Sequence, residues 1–147
     1  MDGYFENVRD EVKNLYHVAN NMIGTVERLR DIVAEMGGAR LHDREDSFNT
    51  EFINNSGDLL QKLTEFGDVI GRINDVNFSD VLSQERPYDL VADIINLVES
   101  IDADEDIAEY GAYNSPTHGT VEDVVALLVM QGTRLSDDMS EIERELF

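Results

Sequence analysis

Apolar residues recur at alternating spacings of three and four along the first part of the chain. The positions in this series are Phe5, Val8, Val12, Leu15, Ala19, Met22, Val26, Leu29, Val33 and Met36. A seven-residue repeat held over this length is typical of a long helix that packs against other helices. It predicts a helix over residues 4–36 that ends at Gly37 and Gly38, because glycine readily adopts the left-handed conformation found at helix ends. Residues 39–47 are then predicted to be an exposed connection.

A second series of the same kind follows this connection. Its members are Phe52, Ser56, Leu59, Leu63, Phe66, Ile70 and Ile73. The series predicts a helix over residues 48–76. Two long helices joined by a connection of about ten residues most simply form an antiparallel hairpin. Residues 1–76 are therefore predicted to form a long helical hairpin.

A short turn and a third helix are predicted over residues 79–101. Ser79 is predicted to cap the turn, and Pro87 suits the first turn of a helix that runs to residue 101. The apolar side of this helix consists of Leu90, Val91, Ile94, Ile95, Val98 and Ile101. Its other side is polar, so the helix is amphipathic. Residues 102–119, acidic at first and then rich in Tyr, Gly and Pro, are predicted to be a loop.

The last helix is predicted over residues 120–147, with Thr120 as its N-cap and Asp123 in its first turn. Its apolar seam consists of Val121, Val125, Leu128, Gly132, Leu135, Met139, Ile142 and Leu146. Gly132 has no side chain to place in the seam, which predicts a close helix crossing or a bend. The first half of this helix is apolar on nearly all sides and is predicted to be buried.

These elements together predict an all-α protein, an elongated helical bundle built on a long antiparallel helical hairpin plus two further helices. Residues 1–147 are interpreted as one domain, because a chain of about 100–200 residues usually forms one. Further apolar residues widen the stripe of the first helix beyond a two-stranded seam. These residues are Tyr4, Tyr16, Val18, Ile23 and Ile32. The bundle is therefore expected to form within one chain, with oligomerisation through leftover apolar surface as a further expectation.

Charge changes the picture of where such a bundle is stable. The chain has 32 acidic and 11 basic residues, a formal net charge of -21, and its only lysines are Lys13 and Lys62. In dilute buffer these carboxylates repel one another, whereas at molar salt the Debye length is roughly 3 Å and the repulsion largely disappears. A disordered acidic chain is the alternative, but 41% of the residues are hydrophobic and they recur periodically. The composition resembles that of haloarchaeal proteins or of proteins from their viruses.

Several classes of protein are disfavoured by composition. The chain has no cysteine, which excludes disulfides, thiolate metal sites and cysteine nucleophiles. Its first residues do not have the pattern of a signal peptide. The longest wholly apolar run, residues 124–130, is far shorter than the roughly 20 residues that a membrane span needs. We expect a soluble protein of the cytoplasm of an extreme halophile, or of the virion of a haloarchaeal virus, without a membrane partner.

An alternation of aspartates is the nearest approach to a metal-binding motif. Asp102, Asp104 and Asp106 alternate as in a calcium loop, but Ile107 and Tyr113 occupy the positions at which that loop needs glycine and a bidentate glutamate. The three aspartates are therefore interpreted as part of a solvated acidic loop.

Other side chains that carry chemistry do not form a recognisable pattern. His17, His42 and His118 are far apart, and none follows a glutamate by three residues as in di-iron bundles. Helical periodicity places Glu11, Glu27 and Glu65 on the flanks or outside. Nucleophile and phosphate-binding motifs are missing from the sequence. Arg28, Arg30, Arg40 and Arg44 are interleaved with acidic residues, which disfavours a nucleic-acid partner. We expect no catalytic, cofactor or metal site.

Two regions are predicted to contact another protein. Residues 110–118 combine Tyr110, Tyr113 and His118 with little charge, a composition typical of recognition loops. The alternative is that the two tyrosines only cover the end of the bundle. The second region lies in the last turns of the C-terminal helix, which are polar outside their seam. Its candidate contact residues are Leu135, Met139 and Ile142.

The expected function is non-catalytic. The leading hypothesis is a structural or assembly subunit of a haloarchaeal system, such as a virion connector or another virion component, that forms a larger complex through its heptad helices. The alternative is a cytoplasmic adaptor or regulator that binds one protein partner through a helix face or through residues 110–118. The expected partner is a second copy of the chain, another protein, or both.

Overall fold

The computed structural model describes residues 2–39 and 47–146, in which six helices and one small antiparallel sheet are formed. The helices are α1 (Asp2–Ala39), α2 (Ser47–Gly71), α3 (Phe78–Leu82), α4 (Arg86–Asp102), α5 (Glu105–Glu109) and α6 (Val121–Leu146). The strands are β1 (Asn114–Ser115) and β2 (Gly119–Thr120). The predicted all-α fold class is confirmed.

The four long helices form a closed bundle in which each packs against two neighbours. α1 packs against α2 and α6, and α4 packs against the same two helices. α1 and α2 are antiparallel, because Tyr16 lies beside Gly71 and Arg30 lies beside Gly57. The antiparallel hairpin predicted from the two heptad series is therefore present.

The remaining neighbouring pairs are also antiparallel. The ion pairs Lys62–Asp93, at 3.6 Å, and Arg86–Glu65, at 3.3 Å, join α2 to α4 in opposite directions. α6 runs antiparallel to α1, because Gly132 lies beside Met22 and the later Asp138 lies near the earlier Glu11. α6 also runs antiparallel to α4, because Gly132 lies beside Val98 and the later Glu143 lies near the earlier Tyr88. The chain thus forms an up-down-up-down four-helix bundle.

The predicted seams form the core of this bundle. Buried seam residues of α1 are Val8, Val12, Leu15, Ala19, Met22, Val26, Leu29, Val33 and Met36. Those of α2 and α6 are Phe52, Ser56, Leu59, Leu63, Phe66, Ile70, Val121, Val125, Leu128, Leu135, Met139 and Ile142. Ser56 is tolerated there because its hydroxyl donates a hydrogen bond to the Ile53 carbonyl oxygen, 3.2 Å away. The side chains of Phe5, His42 and Leu146 lie outside the described residues.

The predicted end of α1 is wrong. Gly37 and Gly38 are helical and α1 continues to Ala39. Glycine permits the left-handed conformation without imposing it, so two glycines do not force a helix to stop. The predicted connection falls largely on residues 40–46, outside the described part of the chain.

α2 ends at Gly71 rather than at the predicted residue 76, because two asparagines bind the backbone that would continue the helix. The Asn74 side-chain oxygen accepts hydrogen bonds from the amides of Val76 and Asn77, both at 2.9 Å. The Asn77 side-chain oxygen accepts one from the Asn74 amide at 2.7 Å. Such local bonds compete with the helical hydrogen bonds and turn the chain.

α3 occupies part of the predicted short turn. It begins at Phe78 with Asn77 as its N-cap, so Ser79 is not the capping residue. The Tyr88 hydroxyl donates a hydrogen bond to the Leu82 carbonyl oxygen, 2.8 Å away, and joins α3 to the first turn of α4. Burial raises the pKa of the Tyr88 phenol, and the nearby Glu143 raises it further.

Residues 102–119 are more ordered than the predicted loop. They contain α5 and the β1–β2 pair, in which Asn114 faces Thr120 and Ser115 faces Gly119. The predicted capping role of Thr120 is confirmed, because its hydroxyl accepts a hydrogen bond from the Asp123 amide at 3.2 Å. The pairing of such short strands could not be read from the sequence, since two-residue strands carry no periodic pattern.

α6 differs from its prediction on two points. A Cβ placed on Gly132 would lie 3.5 Å from Ile95 Cδ1 and 3.6 Å from Val98 Cγ1, which are ordinary contacts, so no close backbone crossing requires glycine there. The first half of α6 is not buried on all sides, because Met130 is 62% exposed. Both α1 and α4 cover α6, and its remaining side faces outward.

Candidate protein contact surfaces

The segment between α4 and α6 forms a folded cap at one end of the bundle. Asp104 is buried, and its side-chain oxygen accepts hydrogen bonds from the amides of Asp106 and Ile107 at 2.9 and 3.1 Å. These bonds satisfy amides that the first turn of α5 leaves unpaired. The interpretation of the aspartates as a solvated loop is thus wrong for Asp104, which is the N-cap of α5.

Two backbone hydrogen bonds attach this cap to the beginning of α6. The Val121 amide donates to the Tyr113 carbonyl oxygen at 3.1 Å, and the Glu122 amide donates to the Gly111 carbonyl oxygen at 2.9 Å. The strands then turn through Gly119, whose φ of 86° lies in the left-handed region. That conformation is open to glycine but strained for other residues.

His118 lies where this cap meets α1. The Arg28 Nη2 atom donates a hydrogen bond to the His118 carbonyl oxygen, 2.8 Å away. The His118 Nε2 atom is 3.7 Å from a carboxylate oxygen of Asp31, a contact that is ionic when the imidazole is protonated. The Ser115 hydroxyl accepts hydrogen bonds from the amides of Thr117 and His118 at 3.3 and 3.2 Å. His118 is therefore held in place by its own turn and by α1.

The structure brings Tyr110, Tyr113 and His118 together in this cap. All three are partly buried, and both tyrosines pack against the hydrophobic core. An open cleft of about 390 Å³ beside them is lined by Glu109, Tyr110, Ala112, Tyr113 and Asn114. The tyrosines cover the end of the bundle, as the alternative reading of the sequence supposed. Whether they also contact a partner stays a prediction.

Leu135, Met139 and Ile142 are used within the chain's own core. Leu135 and Ile142 have no exposed surface and Met139 is 3% exposed. They fill the seam of α6 where it packs between α1 and α4, so they are not presented to another subunit in this fold. Sequence periodicity cannot separate these two outcomes, because a seam packs in the same way against a helix of the same chain or of another.

A groove between α4 and α6 is the surface feature that sequence reasoning did not find. One part, a cleft of about 280 Å³, reaches from the end of α4 to the beginning of α6 and extends under α5. It is lined by Asp102, Ile107, Ala108, Gly111, Val121, Glu122, Val125 and Ala126. The next part along the two helices is a cleft of about 200 Å³. It is lined by Ile95, Val98, Glu99, Val129, Gly132, Thr133, Ser136 and Asp137.

The groove combines an apolar floor with an acidic rim. Ile95, Val98 and Val129 are the large apolar residues of its second part, and Gly132 leaves space between them. Every charged residue that lines either part is acidic: Glu99, Asp102, Glu122 and Asp137. The sequence does hold a signal for this surface. Residues 124–133 carry no charge, in a chain in which 29% of residues are charged.

Carboxylates crowd the opposite side of α6, where it faces α1. One oxygen of Glu11 and one of Asp138 are buried without a hydrogen-bond partner. Burial raises the pKa of the Asp138 carboxyl; Arg134, 3.9 Å away, opposes this, while Asp137 and Glu11 add to it. The pKa of Glu145 is also raised, by desolvation and by Glu11 and Glu141. Glu11 thus faces the α1–α6 boundary rather than solvent.

The described part of the chain contains no group of three or more His, Asp or Glu side chains arranged to hold a metal ion. His17 is exposed on α1 and its ring makes an edge contact with Tyr16, with 6.2 Å between the centroids. Asp104 is occupied by its capping bonds. None of the described helices is both long and apolar enough to cross a membrane.

Within residues 2–39 and 47–146, the fold and surfaces define an all-α four-helix bundle with an acidic exterior and a partly apolar groove between α4 and α6. No protein-family model matches the chain, and neither a curated protein nor a solved structure matches it. Functional inference therefore rests on the chain's own residues.

Proposed function

We propose that the protein is a non-catalytic adaptor or regulator that binds one protein partner through the α4–α6 groove. The observation that carries this proposal is the groove lining itself: uncharged residues of α6, among them Ala126, Val129 and Thr133, lie beside Ile95 and Val98 of α4 and are bordered by acidic side chains. Apolar surface of this kind, with a polar rim, is typical of protein-binding sites. Protein binding requires no catalytic group, and the apolar floor and acidic rim of the groove support this proposal.

An adaptor is favoured over a self-assembling subunit because the four long helices bury their apolar faces against one another within one chain. Each long helix packs against two neighbours within the chain. Leu135, Met139 and Ile142, the residues proposed to join subunits, fill the chain's own core. The apolar seams are therefore already buried within one chain and do not require a second copy to cover them. The exposed surface of the bundle is mainly polar or charged.

The assembly subunit of a haloarchaeal cell or virion is the second candidate. It is favoured by exposed apolar side chains elsewhere on the surface, which are Tyr16 on α1, Ile53 on α2 and Val76 in the turn after α2. A lattice or ring could cover these residues through several small contacts. For both candidates we propose a salt-rich environment, because a net charge of -21 is tolerated best where it is screened.

Size-exclusion chromatography with light scattering separates the two candidates. We expect a monomer in about 3 M KCl, where screening removes charge repulsion as an obstacle to association. A ring or other large oligomer under these conditions would contradict the adaptor proposal and favour the assembly subunit. Measurement in about 0.5 M KCl, where the Debye length is a little longer, shows whether association depends on salt.

A further inference from the structure

We infer that the α4–α6 groove binds a basic amphipathic helix of a partner protein. The inference rests on the proposed function, and it adds the chemistry and the secondary structure of the bound segment. It follows from the spacing of the residues that line the groove, from the floor that they form and from the sign of the charge around it.

The spacing is that of two helical ridges facing each other. The residues of α6 that line the groove are Val121, Glu122, Val125, Ala126, Val129, Gly132, Thr133, Ser136 and Asp137. They recur every three or four positions, so they form one continuous face of about 24 Å at 1.5 Å per residue. The residues of α4 are Ile95, Val98, Glu99 and Asp102, with the same spacing. A groove between two antiparallel helices matches the shape of a third helix.

The floor gives such a helix apolar contacts. Ile95 and Val129 are partly exposed, whereas Val98 and Val125 are buried beneath them. Gly132 of α6 makes the groove deeper near its middle, because it has no side chain to fill the space beside Ile95 and Val98 of α4. One apolar stripe of a bound helix fits this floor.

The rim selects the charge of the partner. Glu99, Asp102, Glu122 and Asp137 are exposed, and no Lys or Arg is among the residues that line the groove. A helix whose apolar stripe is flanked by Lys or Arg places opposite charges along both edges. An acidic helix meets like charges at several points, each of which opposes binding.

The same argument disfavours a second copy of the chain as the occupant. The protein has 32 acidic and 11 basic residues, so its own helices bring further carboxylates to the rim. Acidic residues elsewhere on the surface attract basic peptides as well. What distinguishes the groove is the apolar floor next to the charges, and the test therefore has to separate local binding from general attraction.

Fluorescence anisotropy with a defined peptide provides this test. The probe is a labelled helical peptide of about four turns, built from Leu and Lys with all Leu on one face. A peptide of the same composition in scrambled order has no apolar face and serves as the control ligand. About 0.5 M KCl shortens the Debye length to roughly 4 Å and suppresses general attraction.

Two matched threonines allow the groove to be blocked. Thr133 lines the groove and Thr64 lies on α2, and each is exposed with its hydroxyl donating to the carbonyl oxygen four residues earlier. Thr133→Trp fills the groove, whereas Thr64→Trp adds the same side chain elsewhere. We expect Thr133→Trp to weaken binding of the amphipathic peptide about tenfold or more, and Thr64→Trp to change it less than about twofold. Circular dichroism verifies that both variants keep the helical fold.

A second pair of variants tests the rim without filling the groove. Glu99→Gln with Asp137→Asn removes two rim charges, and Asp58→Asn with Asp68→Asn removes two exposed charges from α2. We expect the first pair to weaken binding at least threefold more than the second, because only the first acts locally. The expected difference shrinks as the salt concentration is raised.

Several results would overturn the inference. These are no binding by the unaltered protein, equal binding of the scrambled peptide, or equal effects of the two tryptophan variants. Loss of binding on substitution of Tyr110 and Tyr113 instead would move the contact to the cap, which contradicts the groove as the binding site but not the adaptor class. A large oligomer in light scattering would remove the adaptor proposal, whatever the peptide does.

Discussion

Arg28 and His118 are 90 positions apart in the sequence and are joined by a hydrogen bond of 2.8 Å from the guanidinium to the backbone carbonyl oxygen. The bond connects the middle of α1 to the turn between β1 and β2. A charged donor to a partly buried carbonyl is worth about 1.5–3 kcal/mol, more than a neutral pair. It therefore joins the cap directly to the bundle with a charge-assisted bond.

Arg28→Ala is expected to loosen the cap while the four long helices remain. The free energy of unfolding should fall by about 1–2 kcal/mol, and amide exchange should accelerate most over residues 114–120. Arg72→Ala, which removes an exposed arginine from the end of α2, has the same change of charge and serves as the control. Uniform acceleration across all helices in the Arg28 variant would contradict a local role.

Asp104→Ala is expected to destabilise α5. Two amides lose the carboxylate that caps them, and a substitution of this kind costs about 0.5–2 kcal/mol. Asp102→Ala removes the same charge from an exposed position at the end of α4 and should cost much less. Chemical denaturation of the two variants measures the difference. Equal losses would show that charge, and not capping, governs this segment.

The heptad series predicts the bundle because a helix that buries one face needs apolar residues at positions that recur with the helical period. The residues from Val8 to Met36 in this series recur at alternating spacings of four and three, and the same residues are buried in the structure. A period of this kind needs only local information. The period does not identify the helix against which a seam packs. It therefore allows Leu135, Met139 and Ile142 to lie between chains, whereas in the structure they fill the chain's own core.

The cap could not be predicted from the sequence for a different reason. The bond from Arg28 to His118 depends on how α1 and the turn approach each other, and no local pattern encodes that distance. Asp104 did carry a local signal, since an aspartate before an acidic first turn is a preferred N-cap. The alternation of three aspartates, with Ile107 and Tyr113 in place of calcium-loop residues, instead favours the interpretation as a solvated acidic loop. The groove could not be predicted from the sequence, because it is formed mainly by residues of α4 and α6 that come together only in the folded chain.

Asp138→Asn is expected to stabilise the protein at pH 7. Burial and the Asp137 and Glu11 carboxylates raise the pKa of Asp138 above its ordinary value of 3.8 despite Arg134. Between 3.8 and the higher folded value the folded state binds more protons than the unfolded state, so stability falls as pH rises through that window. The neutral amide removes this loss. We expect a gain of a few tenths of a kcal/mol to about 1 kcal/mol.

Thermal unfolding between about pH 4 and pH 8 measures this effect, and a gain of the expected size raises the Tm by about 1–4 °C. Asp58→Asn, on the exposed side of α2, removes an equal charge and separates the local effect from the change in net charge. A variant at position 138 that is less stable than the unaltered protein at pH 7 would show that the ion pair with Arg134 outweighs burial.

Gly132→Ala and Gly119→Ala are expected to have opposite effects. A Cβ on Gly132 meets its neighbours at 3.5 Å or more, and alanine favours helix over glycine by about 1 kcal/mol, so the variant should be more stable. Gly119 has a φ of 86°, where an L side chain costs about 1–2 kcal/mol, so that variant should be less stable. Denaturant midpoints compare them. A loss at Gly132 would indicate that the groove floor does not accept a methyl group.

Screening of the carboxylates is expected to govern folding. With a net charge of -21 the folded chain concentrates like charges, and unfolding separates them. Helical circular dichroism should be retained above about 2 M KCl and should fall on dialysis below about 0.2 M, where the Debye length approaches 10 Å. Sorbitol stabilises folded proteins by exclusion but does not screen charge, so it should restore less ellipticity than KCl at equal osmolality. Equal ellipticity at both salt concentrations would show that the core, about thirty buried apolar residues, holds the helices together without screening.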